Sequence, residues 1–405
     1  MAQNKRPASG KSNASPGVSP QDREDALTQK LCDLALDLVE QEECESMSDS
    51  LRQKDGELNK LIKKSLYQKK DEILYASLER AKYADIGACQ LLKERIEEAS
   101  EVIVTGREDG KNVEVNAFVI PLFAHTIGGL DCGNCFHDQE AFDLLTRSLQ
   151  EAQLESPQAK VVLISHAYHL DEIDSITFSH LNEMVREALA SMVDMRGAAI
   201  PAIERSFSGW PESRFAPGDQ AVELRFLLGF ALKTTDDPFY RIPEEEAAAD
   251  AYFEARAGRF EQWTQHIAPI VKRCLVTGDT EIDVNFLYQD LFHGGKERGV
   301  AEYFMLQMMS ELNQGLDECG VDPGSTKAIV GPADARGDTL LRVNLHASAD
   351  DALLVSAEKP WSIGRDLQAE IVDVYDALTT IGVASLAIAV QFGPDGQAID
   401  VQPYQ

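Results

Sequence analysis

Long apolar runs are missing from this chain. Of its 405 residues 44% are hydrophobic, yet no segment approaches the roughly 18–20 unbroken apolar residues of a membrane-spanning helix. The opening stretch, MAQNKRPASGKSNASPGVSPQ, has no apolar centre, so a secretory leader is not expected. Those two absences argue against a membrane partner and make the cytoplasm the expected compartment. Basic charge is also scarce, with 38 Lys and Arg against 68 Asp and Glu and a formal net charge of −30. Such a surface repels phosphate backbones, so nucleic acid is not an expected partner. Solubility, a basic protein partner and a cationic ligand remain as readings of the charge. The seven cysteines are odd in number and scattered, which excludes a disulfide framework. No G-x-G-x-x-G follows a strand, and there is no P-loop, no G-x-S-x-G elbow and no H-E-x-x-H helix.

What is present divides the chain. Residues 1–21 contain no acid and are rich in Pro, Ser, Gly and Asn, as in a disordered tail. Residues 22–100 lack proline altogether. Leu31, Leu34 and Leu38, then Leu58, Leu61, Ile62 and Leu66, recur at helical spacing, so a helical region is predicted. From Glu101 the period shortens. EVIVTG, VEVNAFVIPLF, KVVLIS and AVELRFLLGFAL read as strands, and EAFDLLTRSLQEAQ and FSHLNEMVREALASM read as helices. This first α/β repeat covers 101–232. An acidic linker, 233–258, follows, and a second repeat covers 259–405. In the second repeat RCLVTG and IDVNF answer the first two strands, KAIVGP answers KVVLIS, and VASLAIAVQFG answers AVELRFLLGFAL.

The echo is literal in places. VTG recurs at Val104 and Val276, VN at Val115 and Val284, and the strand-opening lysine at Lys160 and Lys327, with separations of 172, 169 and 167 residues. Small loop deletions produce such a drift. The predicted fold class is α+β, a helical N-terminal region followed by a duplicated ferredoxin-like α/β module. Asn116 and Asn285 occupy the same place in the two copies. They read as backbone-satisfying residues at a bulge or strand end, or as amides offered to a ligand.

The helical region leading into EEASEVIVTGREDGKNVEVNAFVIPLFAHT, then KVVLISHAYHLDEID with its LNEMVREAL helix, and later FEQWTQHIAPIVKRCLV before KAIVGPADARGDTLLRVNL, form an order of segments. This order resembles an uncharacterised bacterial family of betaproteobacterial type, a domain of unknown function without an assigned activity. The resemblance covers roughly residues 60–400. It implies a bacterial protein and carries no catalytic residue, cofactor or substrate.

Two loops carry the residues most capable of chemistry. FAHTIGGLDCGNCFHD holds Cys132 and Cys135 in a C-x-x-C between His125 and His137. Two thiolates and imidazole nitrogens could complete a tetrahedral zinc site. A redox pair is another reading, and a glycine-rich turn without a ligand is the third. The second repeat has FHGGKERG in this place, with His293 and no cysteine, so the fold itself does not need the thiols. SHAYHLDEIDSITFSH puts His166 and His169 near Asp171, Glu172 and Asp174. It reads as a polar loop or as a divalent-metal site. Three functions follow. The leading one is a non-catalytic protein-interaction or self-assembling module, with a protein partner or homo-oligomer. A metal-dependent or redox enzyme using these loops, with zinc as the cofactor, is the alternative. Small-ligand sensing by paired modules is the third.

Overall fold

The computed structural model describes residues 19–42, 49–106, 112–126, 138–152, 159–193, 221–237, 240–275, 282–286, 294–335, 338–361, 367–383 and 385–404. The fold class is α+β, helices first and sheets after. The chain divides into two compact units, residues 1–97 and 98–405.

Unit 1 is helical. Helices α1 (Pro20–Glu42), α2 (Asp49–Tyr67), α3 (Asp71–Ala84) and the first part of α4 (Ile86–Glu101) each carry one apolar stripe. Leu31, Ala35 and Leu38 of α1 are buried, as are Leu58, Ile62 and Leu66 of α2 and Ile73, Leu74 and Ala81 of α3. Spacings of three and four residues put each set on one helical face. Ion pairs from Lys54 to Asp37 (2.9 Å) and from Lys30 to Glu57 tie α1 to α2. Asp85 accepts the Ala88 N–H at 2.8 Å and caps the start of α4.

Among the described residues, unit 2 is built on two five-stranded sheets. The first contains β1 (Val102–Gly106), β2 (Asn112–Thr126), β3 (Lys160–His169) and β4 (Ala221–Thr234) in the order β1-β2-β4-β3, with β5 (Ile282–Phe286) also on β2. All pairs are antiparallel. Because β4 covers β2 from Val113 to Thr126, β1 and β5 share the other edge of β2, against 112–116 and 122–126. Pro121 falls between them, where a missing N–H costs no ladder bond to either strand.

Strand alternation gives the first sheet two apolar faces. Ile120, Leu122, Leu227 and Ala231 share a core with α5 (Gln139–Ala152) and α8 (Glu246–Leu275). Trp263 of α8 is buried there and donates its indole N–H to Ser148 of α5 at 3.2 Å. Phe123, Leu224, Phe226 and Leu228 face the other way, onto α6 (Leu170–Asp174) and α7 (Phe178–Val193).

The second sheet runs β12-β9-β6-β7-β8, with β6 (Thr326–Ala335), β7 (Asp338–Ala347), β8 (Leu353–Pro360), β9 (Ser385–Ile388) and β12 (Gln402–Pro403). The β6–β9 pair is parallel. The strand read across VASLAIAVQFG is split, since Gln391–Phe392 (β10) pairs instead with Ala398–Ile399 (β11). One core lies under α10 (Leu367–Thr380) and the second half of α9 (Gly295–Cys319).

Helix α9 serves both sheets. Val300 and Tyr303 pack with the first core, and Met308, Met309, Leu312 and Leu316 lie in the second. Two glycines allow the close approach. A Cβ on Gly299 would lie 2.7 Å from Cβ of Pro121, and one on Gly315 would lie 2.5 Å from a methyl of Val355. At about 100° per residue these contacts sit on nearly opposite sides of the helix.

The two sheets differ in order and in strand direction, so the described strands do not repeat one ferredoxin-like unit. Of the two strands expected to open a second module, RCLVTG has Arg273, Cys274 and Leu275 at the end of α8, and IDVNF is a strand but pairs with β2. Asn285 opposes Phe123, while Asn116 opposes Ala231 and Val102, so the two asparagines are not equivalent. Residues 233–258, expected as a linker, contain the end of β4 and the first three turns of α8. Pro20 and Gln21, expected within a tail, open α1; residues 1–18 lie outside the described set. The second VTG, at 276–278, does too.

Candidate functional site

Cys132, Cys135 and His137 lie outside the described residues, as does His293. His125, His166 and His169 are described, all in the first sheet. The segment read as a loop after KVVLIS is strand: β3 pairs with β4 at 160–163 and again at 167–169, with a register shift between Leu163 and Ala167. Such a bulge lets a polar sequence continue a strand while re-aiming one side chain. His166 lies within the shifted stretch, and its ring stands edge-on to Tyr168 at 4.6 Å. Its Nε2 lies 3.2 Å from Oε2 of Glu172.

His169 ends the strand and caps α6. Its Nδ1 accepts the Asp171 N–H at 3.3 Å, and Glu172 accepts the His169 N–H at 2.7 Å. This reciprocal arrangement satisfies two donors of a helix start. An accepting Nδ1 places the proton of the neutral ring on Nε2, which lies 4.0 Å from Oε2 of Glu223. Arg225, opposite His169 on β4, is 0% exposed. It donates to Glu223 at 2.8 Å and to the Ala167 carbonyl at 3.3 Å.

Burial pushes the Glu223 carboxyl above its ordinary range, against the opposing pull of Arg225 and His169. Burial also raises the Tyr303 hydroxyl on α9, helped by the charges of Glu223 and Asp171. The raised carboxyl of Glu223 can therefore hold a proton at this corner. A folded-state pKa above the unfolded one gives stability that is complete below about pH 4.3, the unfolded value. It is lost as pH rises through the folded value. Relative to wild type, Glu223→Gln is therefore expected to gain in melting temperature between pH 4 and pH 8. A gap that moves the other way would mean that Arg225 outweighs burial.

His125 stands apart from this group. It pairs with Val222 of β4 and Asp283 of β5, so β4 separates it from His169. Among the described residues no three His, Cys, Asp or Glu side chains are grouped to hold a metal ion. Glu223 and Arg225 were missed in the sequence. The available signal was two charges inside the otherwise apolar strand AVELRFLLGFAL.

A second feature is a surface. Helix α8 buries Arg256, Phe260, Trp263, Ile267 and Val271, but nothing among 246–255. These ten residues, about 15 Å of helix, overhang the core. Glu246, Asp250, Phe253 and Glu254 share one helical face there, and Phe253 is 41% exposed. Glu244 and Glu245 precede them, and none of these five acids is in an ion pair among the described residues. Favourable alignment with the helix dipole accounts for acids in the first turn. It does not account for Asp250, Phe253 and Glu254.

No described helix is long and apolar enough to cross a membrane. A family model described as a protein of unknown function, DUF2863, matches residues 19–290. That range ends four residues after β5, so it takes in the whole first sheet and all of α8. No curated protein and no solved structure matches the chain.

Proposed function

Because the chain belongs to DUF2863, a family of proteins of unknown function, no reaction comes with its membership, and we propose that it is a non-catalytic protein-interaction module that docks through the α8 overhang. The observation that carries this is a ten-residue helical segment without one buried side chain, bearing an acidic face around an exposed phenylalanine. An isolated helix of that length is marginal in water, and a partner surface would bury the apolar part of its face. The polar corner at β3–α6 supports the same function in another way. His169, Glu172 and Arg225 are engaged with backbone groups of β3 and α6, which makes them a clamp on the scaffold.

The test is the native size of the chain in extracts of the cells that make it, after mild cross-linking. Wild type is expected in a species heavier than its own 44.6 kDa. The triple variant Glu246→Lys, Asp250→Lys, Glu254→Lys is expected to fall back to monomer mass. An assembly unaffected by those substitutions, or no assembly at all, overturns the proposal.

A further inference from the structure

The same chain carries a surface complementary to the overhang. On α2, Lys60, Lys63, Lys64 and Tyr67 follow the i, i+3, i+4, i+7 spacing of one helical face. That face lies opposite the buried stripe of Leu58, Ile62 and Leu66. All four residues are exposed, Tyr67 at 72%. The three lysines enter no ion pair among the described residues, whereas Lys30, Lys54 and Lys70 of unit 1 are all paired. Helix α3 adds Lys82 and the 81%-exposed Tyr83. Between residues 60 and 82 there are seven Lys and Arg against three Asp and Glu.

This basic face stands out against the rest of the charge. Residues 98–405 hold 22 Lys and Arg against 50 Asp and Glu, while residues 1–97 hold 16 against 18. Nearly all of the net −30 therefore belongs to unit 2. The α8 overhang is a concentrated part of it, with no base between Arg241 and Arg256.

We propose that the occupant of the α8 overhang is the α2 face of a second copy of this chain. Lys60, Lys63 and Lys64 would meet Glu246, Asp250 and Glu254, with Tyr67 against Phe253. This rests on the interaction-module function proposed above and names its partner. The match is one of charge and of shape class: two exposed helical faces, each with three like charges around one aromatic ring. An aromatic centre with a charged rim is how stable interfaces are composed. Each copy carries both surfaces, so copies can join by reciprocal pairing of two chains or head to tail.

The experiment uses purified full-length chain in sedimentation equilibrium. Wild type is expected to associate at low salt and to dissociate as salt rises from roughly 0.01 to 0.5 M, where screening shortens to a few ångströms. Two charge-reversal variants are made: Lys60→Glu, Lys63→Glu, Lys64→Glu on one face, and Glu246→Lys, Asp250→Lys, Glu254→Lys on the other. Each alone is expected to weaken self-association by about a hundredfold or more. Mixing the two is expected to restore association, a result that misfolded protein cannot give. A wild type that stays monomeric, or a mixture that fails to associate, overturns the proposal. So does wild type that stays monomeric but retains nucleic acid through the three lysines. If the purified chain is monomeric while the cell-extract assembly still depends on the α8 acids, only the identity of the partner falls.

Discussion

Truncating Glu370 to alanine is expected to destabilise unit 2 by about 3–5 kcal/mol, since it leaves an ammonium buried without its counter-charge. The pair joins Lys359 of β8 to Glu370 in the first turn of α10, and their side chains are 3% and 1% exposed. Residues of the core around it include Ala357, Ile371 and Val374. The pair is not thereby a large net source of stability. Desolvating two charges consumes most of their attraction, so the double replacement Lys359→Met, Glu370→Leu is expected to lie near wild type or above it. Urea unfolding of Lys359→Met, of Glu370→Leu and of the double closes the cycle. Single variants close to wild type would mean that water reaches the pair, against its burial.

Leucine at Gly299 or at Gly315 is the second large effect. Helix propensity alone favours leucine over glycine by nearly 1 kcal/mol, so an effect of the opposite sign is diagnostic. At both positions the added carbon meets a neighbour well inside contact distance, Pro121 in one case and Val355 in the other. Overpacking is expected to win, for a net loss of about 2–3 kcal/mol each. Gly258 of α8 is the control, because a Cβ there meets nothing within 4 Å. Leucine at Gly258 is expected to be neutral or stabilising by up to about 1 kcal/mol. Thermal unfolding of the three variants separates the two contributions, and a Gly299 variant that behaves like the Gly258 variant would show that α9 does not press on β2.

Period was legible in the sequence and partnership was not. The stripes of α1 to α3 and the strands β2, β3, β4 and β5 follow from spacings of three to four residues or from runs of branched and aromatic side chains. Where β5 docks does not follow from IDVNF. That pattern fixes which side chains share a face, while the choice of β2 as neighbour depends on residues some 160 positions away. The similarity of β5 to β2 therefore supported a second module when the structure has the two strands side by side. The histidines illustrate the same limit at the site. His166 and His169 were visible as a pair, but the register shift around His166 is a property of pairing with β4, and its approach to Glu172 does not follow from spacing. Arg225 and Glu223 enter only through that pairing. The first ten residues of α8 were legible as acidic and polar. That they overhang a core could only come from where Arg256 and Phe260 are buried.

The docking of β5 also has a consequence in time. During synthesis β4 is complete at Thr234, yet β5 does not begin until Ile282, 48 residues later. At about 5–20 residues per second the ribosome needs roughly 2–10 s to supply them. For that interval 122–126 of β2 has β4 on one side and an open edge on the other. Open edges recruit strands from neighbouring chains, so nascent chains on one message are most exposed to mispairing in this window. A fragment cut anywhere between 235 and 281 would carry that open edge permanently.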